Sequence, residues 1–110
     1  MNTRITIMVA GQDIDEQAMQ NQLSQAVGGQ VIKRGETRGS LSDAITYIAD
    51  LVAPASKIAD KLISITKNLI AGSSVKIKYR GQEIEVGNVP REQLITVLQM
   101  AINGASSDRG

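Results

Sequence analysis

From Thr3 to Val9 the chain alternates, with Ile5, Ile7 and Val9 on one side and Arg4, Thr6 and Met8 on the other, the period of a strand that buries one face. Gly11 and Asp13 interrupt the pattern. Behind Asp15, a fitting N-cap, Ala18, Met19, Leu23, Ala26 and Val27 recur at helical spacing. Gly28-Gly29 closes that helix, because glycine accepts the left-handed conformation of a last turn. Residues 30–34, built on Val31 and Ile32, then read as a second strand reached through a crossover helix, right-handed if the two strands are parallel. Residues 35–39 read as a polar loop. Ser40 and Asp43 follow at the spacing of a capping box.

Residues 41–71 hold a four-three apolar spacing through Leu41, Ile45, Ile48, Val52, Ala55, Ala59, Leu62, Thr66 and Leu69. One helix of that length would extend roughly 45 Å, too far for a domain whose radius of gyration should be about 13 Å. Pro54 therefore divides the segment into helices at 41–52 and 55–71, with Ser56 as a candidate cap. The alternative is one kinked helix that projects and pairs with a second copy, making a homodimer through the 41–71 segment.

A hairpin comes next. With Arg80-Gly81 as the turn, Tyr79 faces Gln82, Lys78 faces Glu83, Ile77 faces Ile84, Lys76 faces Glu85 and Val75 faces Val86. A shift of one residue would set lysine against isoleucine, so the pattern selects this register. Residues 88–90 start a last helix that buries Leu94, Ile95, Val97, Leu98, Ala101 and Ile102, with Pro90 in its first turn. The expectation is one α+β domain over residues 1–103, in the order β-α-β-α-α-β-β-α. It has a mixed four-stranded sheet with helices on one face and a disordered tail at 104–110.

Composition narrows the chemistry. The 110 residues include no histidine, cysteine, tryptophan or phenylalanine, which removes the commonest general base, the thiolate nucleophile and the main zinc ligands. No enzymatic activity, metal or cofactor is expected. A net charge of +1 gives no overall field toward nucleic acid or anionic lipid. With no long apolar run and no apolar leader after Met1, a soluble cytoplasmic protein that binds neither nucleic acid nor membrane is the expectation.

Three clusters are candidate sites. Lys76, Lys78 and Arg80 could follow a phosphate backbone, but each lysine has its own opposing glutamate, as on a solvated sheet face. Lys33, Arg34, Glu36, Arg38 and Ser40 lead into the expected helix start at 41–43, where free amides could hold a nucleotide or other small anion; Arg34, Arg38 and Ser40 are the candidate ligands. An ordinary capped helix start is the favoured explanation, since no phosphate-binding motif is matched. Asp13, Asp15 and Glu16 cluster after the first strand, where a helix start also favours acidic residues.

The opening strand Arg4-Ile5-Thr6-Ile7 followed by Gly11 and acidic residues, the Leu41-Ser42-Asp43-Ala44 segment, the apolar helix pair and the closing hairpin 75–86 before a final helix resemble a bacterial family, the effector-associated constant component domains of conflict and signalling systems. The resemblance extends from Thr3 to about Asn103. It implies a non-enzymatic adaptor that couples or assembles protein partners such as caspase-like peptidases, TIR-type domains or regulatory NTPases. It carries no functional residues to this chain.

Overall fold

Ile5, Ile7 and Val9 lie on the covered side of strand β1 (Arg4–Gly11), while Thr6, Met8 and Ala10 face the other way, as a two-residue period requires. The computed structural model describes residues 4–11, 14–38, 43–69 and 72–107. After β1 come α1 (Glu16–Val27), β2 (Val31–Arg38), β3 (Asp43–Asp50), α2 (Ala55–Lys67), β4 (Ser74–Tyr79), β5 (Gln82–Glu85), a 3-10 turn at Val86–Asn88, and α3 (Arg91–Ser107). The strands form one sheet in the order β2-β3-β1-β4-β5, every neighbouring pair antiparallel. Since β1 and β2 both run against β3, they are parallel to each other with β3 inserted between them. The elements from β1 to β4 thus take the split β-α-β arrangement of ferredoxin-like folds, extended by β5 and α3.

The sheet has five strands, not the four expected, and the extra one occupies part of the segment expected to be the helix 41–52. Residues 43–50 contain β-branched Ile45, Thr46 and Ile48 beside Tyr47, which suit a pleated surface. Their four-three spacing fits a helix equally well, because Ile45 on the covered face and Ile48 on the open face stand three residues apart, as on one side of a helix. Pairing decides the outcome: β3 lies along β1 from Ala44 opposite Ala10 to Asp50 opposite Arg4, with β2 on its other side. No helix spans 41–71, so the seam through which two copies would pair is not formed. Pro54 does mark a helix start. It is itself the N-cap of α2, with no side-chain cap from Ser56.

Other boundaries move outward. Residues 35–38, expected as loop, continue β2, and α3 takes in 104–107 of the expected tail. Residues 39–42 and 108–110 lie outside the described residues. The hairpin has the expected register from Tyr79 opposite Gln82 to Lys76 opposite Glu85. Its turn uses φ of 52° at Arg80 and 82° at Gly81, the doubly positive pair that suits the twist of two strands. Asp15 caps α1, its Oδ1 accepting from Ala18 N at 3.1 Å.

A single core fills one side of the sheet. Leu23, Ile58, Leu62, Leu94 and Leu98 from the helices cover Ile7, Val9, Tyr47, Val75 and Ile77 from the strands, all fully buried. On the opposite side, among the described residues, no strand side chain is buried.

Candidate functional site

That open face is set by register. One row across it reads Ile32, Ile48, Thr6, Lys78 and Glu83; the next reads Gly35, Thr46, Met8, Lys76 and Glu85; a third includes Ala44, Ala10 and Ser74. Across these rows the β2-β3-β1 half carries no charge and is partly aliphatic, and the β4-β5 half carries both signs of charge. Ile32 is 48% exposed, and Met8, Thr46 and Ile48 are half-buried. At one end Arg4 Nε donates to Asp50 Oδ1 at 2.7 Å. On the charged half Lys76 Nζ lies 3.8 Å from Glu83 Oε1. An uncharged patch with a paired, charged rim is the usual anatomy of a surface that meets another protein.

The sheet edges are poorer docking sites than the face. β2 carries Lys33, Arg34 and Glu36, and its register shifts between Lys33 and Gly35. β5 is only 4 residues long. Charges, a bulge and a short strand all discourage addition of a further strand.

The sequence candidates separate in the structure. Arg34 is exposed at the β2 irregularity, Arg38 ends β2 in register with Asp43, and Ser40 lies outside the described residues. The helix N-terminus expected to support an anion there is replaced by the first residue of β3. Lys33 is committed to two carboxylates, donating to Glu16 Oε1 at 2.6 Å and to Glu36. These bonds, Glu16 first, hold its pKa above the ordinary lysine value. Asp15 is used as the α1 cap and Asp13 lies outside the described residues. Among the described residues no group of three or more potential ligands could hold a metal ion. No described helix is long and apolar enough to cross a membrane.

Beneath the Lys33 pair, Tyr47 Oη donates to the Glu16 carbonyl at 3.2 Å. Burial, then the nearby Glu16 charge, pushes the phenol above its ordinary value of 10.0. The unfolded chain then releases this proton at a lower pH than the folded one. Stability from the neutral phenol is complete below about pH 10 and is lost as pH rises toward the folded value, at up to about 1.4 kcal/mol per pH unit. Lys33, also raised, acts in the same direction. Urea midpoints between pH 7 and 11 should fall above pH 10 in the parent and fall less steeply in Tyr47→Phe. Equal slopes would remove Tyr47 from the account.

Two clefts flank α2 on the helix side. One, of about 340 Å³, opens toward α1, with Gln22, Gln25, Asp60, Lys61, Ser64 and Ile65 in its walls. The other, of about 420 Å³, lies between α2, the 3-10 turn and α3. The open face escaped sequence reasoning because residues 43–50 read as helix; the alternation of Ile45, Tyr47 and Ala49 against Thr46 and Ile48 was the signal that could have found it. Comparison with protein-family models, curated proteins and solved structures finds no match to this chain.

Proposed function

We propose that this chain is a non-enzymatic interaction module that couples or assembles effector and regulatory proteins in a bacterial conflict or signalling system. The observation that carries this reading is the uncovered β2-β3-β1 face, where Ile32, Ile48, Met8 and Thr6 form an uncharged surface bordered by paired charges. A face of this kind gains from burial against a complementary surface, at roughly 25 cal/mol for each Å² of apolar area removed from water. The resemblance to effector-associated constant components supplies the class of partner: a caspase-like peptidase, a TIR-type domain or a regulatory NTPase.

Nucleic acid suits the face less well. Sheet surfaces that bind single strands stack bases on aromatic rings. Here Tyr47 is buried under the helices and Tyr79 packs on the core side. The lysines of β4 also stand opposite glutamates of β5, which lowers the local positive potential.

Tagged protein recovered from its native host should bring down a stoichiometric protein partner. The Ile32→Glu and Met8→Lys variants should lose it while keeping the parent's thermal midpoint within a few degrees, since both positions lie outside the core. Met100→Glu, on the exposed side of α3, should retain it. Recovery of the same partner by all three variants would rule out the open face, and a parent that repeatedly recovers none would remove the proposal.

A further inference from the structure

The cavity between α2, the 3-10 turn and α3 has an aliphatic lining and a cationic rim. Ile63, Val86 and Val89 supply the lining, Thr66 closes one wall, and Lys67 and Arg91 stand at the edge. Val86 is buried, whereas Ile63 and Val89 are half-buried, so the outer layer of the core is left partly uncovered here. The Thr66 hydroxyl donates to the Leu62 carbonyl at 2.9 Å, which turns a polar group of the wall back into its own helix. Among the described residues no carboxylate lines the space.

Gly87 lines the space and puts no side chain into it. A Cβ added there would stand 3.5 Å from Thr66 Cγ2, an ordinary contact, and the residue has no left-handed φ that would penalise substitution. Longer side chains at 87 would project toward Thr66 and fill the cleft.

Charge indicates what the cleft would accept. Lys57, Lys61 and Lys67 are exposed along α2 and make no ion pair among the described residues. Arg91 joins α3 to α2 through Asp60, with Nη2 donating to Asp60 Oδ2 at 3.1 Å. This bond holds Asp60 below the usual carboxylate range, and the pair remains at the surface. Of these lysines, Lys67 stands at the cavity edge, whereas Lys61 lines the cleft on the α1 side, so the rim carries the Lys67 charge beside the Arg91–Asp60 pair. A volume of about 420 Å³ has room for a large side chain, and aromatic anchors in such pockets carry much of the energy of many interfaces.

We propose that this cleft binds an acidic peptide segment of a partner protein, seating one bulky aromatic side chain against Ile63, Val86 and Val89 while a flanking carboxylate meets Lys67 at the rim. The proposal rests on the adaptor reading for its occupant but uses a surface separate from the open sheet face. Both features of the occupant are needed. The apolar lining gives affinity, and the cationic rim gives preference and a faster encounter at low salt.

The test is a titration of isotope-labelled full-length protein, followed by amide NMR, with two synthetic acidic nonapeptides that differ only in a central tryptophan or alanine. The tryptophan peptide should give saturable shifts clustered at Ile63, Thr66, Gly87 and Val89, weakened by added salt. The alanine peptide should bind at least about tenfold more weakly. Gly87→Leu should abolish the shifts without changing the unfolding midpoint, and Gly87→Ala, which leaves most of the space open, should retain them. Equal shifts from both peptides would reduce the effect to charge attraction and overturn the proposal. So would shifts confined to the open sheet face, no saturable shift at all, or parent-like binding by Gly87→Leu. Dodecanoate occupying the cleft when the tryptophan peptide does not would replace the peptide with a small amphipathic anion. Any of these failures leaves the partner-recovery result with Ile32→Glu and Met8→Lys unaffected, so the two readings can fail separately.

Discussion

Ile7→Ala is expected to lower the free energy of unfolding by about 2–5 kcal/mol, and Met8→Ala, the next residue along, by less than about 1 kcal/mol. The contrast follows from the sheet's two faces. Ile7 is fully buried on the central strand, between Tyr47 of β3 and Ile77 of β4. Truncating it removes several methyl and methylene groups and leaves a cavity that five strands and three helices cannot easily collapse. Met8 points to the open side and stays half-exposed. A domain of this size is stable by only about 5–15 kcal/mol, so the first change alone could remove much of the margin. Urea unfolding with unchanged denaturant slope would measure both costs. Similar values for the two substitutions would mean that both faces are covered.

A second large effect is expected at the junction of α1 and β2. A Cβ at Gly29 would lie 2.4 Å from the Asp50 carbonyl oxygen and 2.8 Å from Val52 Cγ2. The obstructing oxygen belongs to backbone held in place by its neighbours: Asp50 N donates to Gln30 O, and Val52 N and Ala53 N both donate to Val27 O, each at 2.9 Å. Movement of one connection must therefore distort the other. Gly29→Ala should cost about 1–3 kcal/mol, the usual range for forced overpacking. Gly35→Ala is the control, because nothing lies within 4 Å of its added Cβ. Equal thermal midpoints for the two variants would show that the junction yields more easily than its hydrogen bonds imply.

What the sequence made legible was local. The β4-β5 hairpin could be read because lysine meets glutamate and isoleucine meets isoleucine across a two-residue turn. The limits of α1 could be read because Asp15 and Gly28 carry out the chemistry of a cap and a stop. Strand β3 was misread for a physical reason. It carries Ile48 on its open face as well as Ile45, Tyr47 and Ala49 on its covered one, so alternation is blurred and a helical spacing appears within it. The candidate site went with it. Ile32 and Ile48 become neighbours only through the register of β2 on β3, and nothing near either residue in the chain announces that pairing. The helix start on which the anion-site reading leaned is strand at the same place, because β3 pairs with β1 on one edge and β2 on the other.

The central claim is that a protein partner seats on the open face of the sheet. Methyl-labelled protein in complex with the recovered partner tests it most directly. The account predicts that the methyl signals of Met8, Ile32 and Ile48 shift or broaden, while those of Met19 in the core and Met100 on α3 remain in place. Perturbation of Met100 with Met8, Ile32 and Ile48 unchanged would contradict it.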